Sequence, residues 1–213
     1  MENKKNKKLK EESTAYNLNN KNYTYEDILN FNDKNRYEII EGTLFVMESA
    51  RPKHQMYVGE IFNQIYNYLK GKPCKVIVAP SEVKLTTQIF QRTHSKIKDS
   101  VQPDIYVVCD ASKFDDTGIY GVPDMIIEIV SPSNKKHDTI TKFNLYQKYG
   151  VKEYWIVDIE EEKIQVFLLN EEKEYYLEKE YKTTDNIKVN IFENLEICLK
   201  EFYEENKELL DRI

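Results

Sequence analysis

The segment GVPDMIIEIVSPS at 121–133 constrains this chain more than any other, because one carboxylate, Glu128, interrupts a run of Met, Ile and Val. An apolar run of that length reads as a buried β-strand. Burying an unpaired carboxylate costs on the order of several kcal/mol, so a strand that carries one has a metal, a cation or solvent waiting for it. The plain alternative is an edge strand on which Glu128 faces water.

With 213 residues, 40% hydrophobic and 12% aromatic, the chain can bury one sizeable core. The expected organisation is a flexible tail at 1–20, rich in Lys, Asn and Glu, followed by a single domain at 21–213. No apolar run approaches the ~18 residues of a membrane span, and no apolar core follows the start MENKKNKKLKEE. A cytoplasmic protein without membrane contact is expected. Cys74, Cys109 and Cys198 are odd in number, far apart and form no CxxC pair, so they read as reduced residues, mostly in the core.

The formal charge of −6 argues weakly against a nucleic-acid partner, but it is unevenly spread. Residues 159–213 hold 16 acidic and 8 basic residues, whereas 1–158 hold 21 acidic and 23 basic. Within the latter, QRTHSKIK (91–98) places Arg92, Lys96 and Lys98 in one loop, suited to phosphate contact and equally readable as solvated surface.

Along the chain, Thr24 caps a short helix in TYEDILNF, and RYEIIEGTLFVME (36–48) reads as a hairpin about Glu41-Gly42. Val58, Ile61, Ile65 and Leu69 recur at helical spacing from His54 onward. Strands are expected at 74–80, 82–85, 103–110 and 123–130, then a helix from about Asp138 to Gly150, a hairpin of 153–159 with 163–169, and an amphipathic helix over 190–203. The class is α/β with mixed α+β character, a mixed central sheet flanked by helices with an N-terminal β-hairpin.

Asp104 opens one apolar strand and Glu128 lies near the end of another, so neighbouring strands would set the two carboxylates side by side. Such a pair repels itself, and a divalent cation relieves the repulsion; Mg²⁺, or Mn²⁺ in its place, suits one or two carboxylates plus a substrate phosphate. Asp138, Lys142 and Tyr146 share a helix face, which could bring an ammonium back towards Glu128 from an exposed or cavity-lining position. An ordinary exposed Asp–Lys pair explains the same spacing.

The succession RYEIIEG, a helix opening with His54, PD at 103–104, PDMIIEIVSPS, the Asp138, Lys142, Tyr146 spacing and GVKEYWIVD resembles the Uma-two family of the PD-(D/E)XK nuclease superfamily, over about 24–200. The resemblance implies a restriction-endonuclease-like fold and metal-dependent hydrolysis of phosphodiester bonds in DNA, with a homodimer left open. It implies Asp104 and Glu128 as metal-binding catalytic carboxylates, with the backbone carbonyl of Ile129 as a further ligand. Val130 stands where the superfamily's strand lysine belongs, and Lys142 is implied as its replacement. Glu38, His54 and Asp138 are secondary candidates. Asp124 also follows a proline, but shares a strand with Glu128, so Asp104 is preferred. A non-catalytic module of the same fold that binds nucleic acid or protein is the alternative.

Overall fold

The computed structural model describes residues 22–87, 93–131 and 135–213. The tail at 1–20 and Arg92 lie outside them. In chain order the elements are α1 (Tyr25–Leu29), β1 (Tyr37–Ile40), β2 (Thr43–Val46), α2 (Pro52–Leu69), β3 (Lys75–Val78), β4 (Glu82–Lys84) and β5 (Ser100–Val101). Next come β6 (Ile105–Val108), β7 (Phe114–Asp115), β8 (Gly118–Tyr120) and β9 (Met125–Val130). A π-helical turn, His137–Lys142, runs into α3 (Phe143–Tyr149). The chain then forms β10 (Glu153–Asp158), β11 (Lys163–Leu169), β12 (Tyr175–Lys182), β13 (Asn186–Lys188), β14 (Glu196–Cys198) and α4 (Lys200–Leu210).

Two six-stranded mixed sheets result, ordered β2-β1-β5-β4-β8-β7 and β12-β11-β10-β9-β6-β3, with a small β13-β14 ribbon. The chain passes between them four times through short links, at 79–81, 102–104, 109–113 and 121–124. The second of these crossings carries Asp104. In the second sheet β9 is central, pairing in parallel with β10 and antiparallel with β6. Its residues alternate faces as the pleat requires. Met125, Ile127 and Ile129 pack with α2 through Tyr57, Ile61 and Ile65. Ile126 and Val130 pack on the other side with Leu145 and Tyr146 of α3 and with Val83, Val101 and Ile119 of the first sheet. Glu128 belongs to this second face by alternation. It is a central-strand residue, only 3% exposed, so the edge-strand explanation fails.

The hairpin turn is as expected: Glu41 and Gly42 both have positive φ, at 50° and 76°, the twist a two-residue loop needs. Gly118 answers a tighter demand. Its φ is +135°, and a Cβ there would stand 2.0 Å from the Glu82 carbonyl oxygen, where β8 runs beside β4. Gly118→Ala should therefore cost roughly 2 kcal/mol or more in urea unfolding. A loss below about 0.5 kcal/mol would show that the two strands part easily there.

Two sequence readings are corrected. Cys74 and Cys109 form a disulfide, because pairing of Lys75 with Val108 continues one step outward to bring them opposite each other. Cys198 is the free cysteine. The helix expected over 190–203 starts only at Lys200, since Leu195, Ile197 and Leu199 alternate inward in and around β14 with the period of a strand. Among the described residues, no helix is long and apolar enough to cross a membrane.

Candidate active site

The site forms where the two sheets meet. Asp104, in the link that leaves β5 for β6, lies one step beyond the paired Ile105 and Ile127, hence opposite Glu128. The Asp104 N–H points to Glu128 Oε2 at 3.3 Å. Asp104 Oδ2 accepts from the Ile129 N–H at 2.8 Å and sits 3.0 Å from His54 Nε2 in the first turn of α2. Ile129 thus offers its amide to this cluster. With its side chain 19% exposed, Asp104 is the carboxylate nearest solvent.

Glu128 Oε1 accepts from Lys142 Nζ at 3.0 Å and from the Tyr146 hydroxyl at 2.7 Å. The same ammonium lies 3.0 Å from Glu38 Oε1 on β1 and 3.6 Å from Asp138 Oδ1. One buried lysine therefore ties a carboxylate from each sheet and a third from its own turn. The pair of Asp138 and Lys142 is not the exposed surface pair that its spacing allowed: both are buried. Glu38 also accepts the Gln102 N–H at 2.9 Å and has His137 Nε2 3.3 Å from its other oxygen. The His137 ring rests against Phe45 of β2.

The π turn explains how this is built. Residues five apart on an α-helix point ~140° from each other, whereas i→i+5 bonding brings them close to one line. His137 and Lys142 are five apart, and both meet Glu38. Single π turns of this sort gather at functional sites.

The electrostatics follow from these partners. Burial raises the Glu38 carboxyl, but Lys142, His137 and the Gln102 amide together outweigh it and hold it down at about 2. Glu128 is pushed up to about 7, by burial first and then by the like charges of Asp104 and Glu38, against the pull of Lys142. The difference between two carboxylates on one ammonium is physical: Glu38 gains two further donors, while Glu128 faces two further anions. Asp138 is raised well above the carboxylate range, mainly by burial. Lys142 stays protonated because the carboxylates Glu128, Glu38 and Asp138 override its desolvation. Burial lowers His54, but its bond to Asp104 reverses that and leaves it raised.

The remaining predicted residues lie apart. Lys96 and Lys98 are exposed beside the Glu41-Gly42 turn, where the Gly42 N–H donates to the Lys98 carbonyl. That turn is met by Lys148 near the C-terminal end of α3, while the carboxylates are met by the π turn before its start. Asp124, at the other end of β9, binds the Cys109 N–H at 2.9 Å and Lys152 at 2.7 Å, a structural arrangement. Val130 is packed in the core. His137 was missed by sequence reasoning, since a lone histidine in NKKHD carries no helical pattern. Tyr146 had a signal in its shared face with Asp138 and Lys142.

A divalent cation can be tested against this donor set. Among the described residues no group of three or more His, Cys, Asp or Glu is arranged around a common metal position. The two adjacent carboxylates nonetheless fit a hard cation that keeps most of its waters. Asp104 Oδ1 accepts no hydrogen bond among the described residues, Glu128 Oε2 has only the long amide contact, and the mutual repulsion favours added positive charge.

Comparison with known proteins agrees with this architecture. An uncharacterized protein of Synechocystis sp. is 22% identical over 167 residues, which are 77% of this chain and 83% of that protein. The crystal structure of a “putative nuclease belonging to DUF820” from Anabaena variabilis shares the fold, with a TM-score of 0.63 at 19% identity, covering 85% of this chain and 98% of that one. A match over residues 23–200, which takes in both sheets and the whole carboxylate–ammonium cluster, makes this chain a member of the Uma2 family, described as “Putative restriction endonuclease”.

Proposed function

We propose that this chain is a Mg²⁺- or Mn²⁺-dependent endonuclease that hydrolyses phosphodiester bonds in DNA. The observation that carries the reading is the apposition of Asp104 and Glu128 across β6 and β9, with the Lys142 ammonium 3.0 Å from Glu128. Asp104 and Glu128 would hold the cation, which supplies Lewis-acid stabilisation of charge on the scissile phosphate. Lys142 and the Tyr146 hydroxyl share Glu128 Oε1, fixing the carboxylate's orientation and favouring its charged form. With two carboxylates at 3.0 Å and a third at 3.6 Å, Lys142 acts on Glu128 more directly than on a phosphate. His54 and the Ile129 amide fix Asp104 through one oxygen and leave the other turned to its task.

The test is incubation with single- and double-stranded DNA, and with RNA, in Mg²⁺, Mn²⁺ or EDTA. Cleavage should require the cation and fall roughly 10²-fold or more in Asp104→Asn and in Glu128→Gln. A cation at a hundredfold excess over Kd should stabilise the protein by about 2.7 kcal/mol. That gain should vanish in the double variant. Cleavage that survives EDTA, or both substitutions, would reject the mechanism; a protein that binds nucleic acid without cutting it would instead be the non-catalytic module.

A further inference from the structure

Beyond Glu128 along β9 lies a cavity of about 200 Å³, lined by Val130, Ser131, Lys135, Asp158, Glu160 and Glu161. It opens at the carboxyl ends of β9 and β10, the parallel pair of the second sheet, whose last residues Val130 and Asp158 are in register. Ligands of mixed α/β sheets gather at such ends. Two ammonium groups reach the acidic turn after β10 from different elements. Lys135, just before the π turn, pairs with Asp158 at 2.8 Å and also with Glu161. Lys53, in the first turn of α2, lies 3.8 Å from Glu160. Both lysines lie close in sequence to the candidate active site: Lys53 precedes the His54 that holds Asp104, and Lys135 comes two residues before the His137–Lys142 turn, while Val130 of the cavity wall is two residues beyond Glu128.

The acidic partners differ in kind. Asp158 is largely buried and accepts the Glu160 and Glu161 amides at 3.2 and 3.0 Å, so it shapes the turn. Glu160 and Glu161 have side chains 55% exposed. Exposed ion pairs of this type are weak and exchange readily.

We propose that this cavity takes a substrate phosphate adjacent to the scissile one, bound by Lys135 of its wall and by Lys53, which lies beside the lining Glu160, and that Glu160 and Glu161 hold those lysines until the phosphate displaces them. The proposal rests on the nuclease reading for its substrate. It makes the turn after β10 a built-in competitor, so affinity is tuned by carboxylates outside the metal-binding pair.

The experiment measures binding in EDTA, where no cleavage occurs on the proposed mechanism, with a labelled DNA oligonucleotide and an RNA of the same sequence, across a salt series. Glu160→Gln with Glu161→Gln should tighten binding roughly five- to tenfold at low salt. Lys53→Gln with Lys135→Gln should weaken it and lower the salt slope by ~1.4 on single strands or ~1.8 on duplex, the value of two phosphate contacts. Lys53→Arg with Lys135→Arg should retain both affinity and slope, which separates charge from folding. Equal shifts for DNA and RNA support phosphate as the group recognised. No gain in the Gln pair at 160 and 161, or an unchanged slope in the Gln pair at 53 and 135, overturns the proposal. If these shifts appear but no cation ever supports cleavage, the nuclease reading fails and the phosphate site stands; if cleavage is sound and the slope is unmoved, the phosphate site alone fails.

Discussion

Lys142→Ala is expected to destabilise the protein by about 3–5 kcal/mol, the range found when one partner of a buried ion cluster is removed. The sequence reading, which put Lys142 on an exposed or cavity-lining face, would have expected alanine to be tolerated. Burial reverses that: Lys142 is 4% exposed and is the shared counter-ion of Glu38, Glu128 and Asp138. Without it, three carboxylates face one another across the seam of two sheets. For a chain of this length the loss should lower the melting temperature by roughly 10 °C. Urea unfolding at pH 7 checks the magnitude, and Lys142→Met combined with Glu128→Gln should recover part of the stability by removing an anion along with the cation. A cost under about 1 kcal/mol for Lys142→Ala would mean that water reaches the carboxylates and screens them.

The second large effect is on pH dependence without divalent cations. Glu128 has a folded pKa of about 7, above its ordinary 4.5, so the folded state binds more protons than the unfolded state between those values. Its contribution is fully present below pH 4.5 and is lost as pH rises through 7, about 3 kcal/mol in all. Glu38 runs the other way. Held at about 2, it contributes above pH 4.5 and loses that contribution as pH falls towards 2. Asp138, raised by burial, adds to the Glu128 trend. In EDTA, unfolding free energy should therefore decline from pH 5 to pH 8, and Glu128→Gln should flatten much of that decline while leaving the acid limb in place. Added Mg²⁺ should restore stability at pH 8 and do little at pH 5, where a proton occupies Glu128. An identical decline in Glu128→Gln would assign it to other groups.

Local signals made much of the fold legible. The hairpin around Glu41-Gly42, α2 with its Val58, Ile61, Ile65 pattern, and the β10–β11 hairpin depend on neighbouring residues, and sequence shows them. The first sheet was harder, because β5 and β7 have two residues each and β4 and β8 three, too short for a period to register. They are defined by distant partners. The disulfide was hidden for the same reason, its cysteines standing 35 positions apart. At the site, the apposition of Asp104 and Glu128 followed from strand alternation, and Lys142 from helical spacing together with family resemblance. His137 could not be read that way, since its spacing from Lys142 matters only in a π turn.

The seam itself has a consequence for when this protein can act. Glu38 comes from one sheet and Glu128 from the other, with Asp104 in the link between them and Lys142 spanning the join. A nascent or proteolytically nicked chain that has formed only one sheet holds, at most, a fraction of the constellation. On the proposed mechanism, activity is thereby coupled to completion of the whole tertiary structure, and partly folded chains, which every synthesis produces, are expected to be inactive.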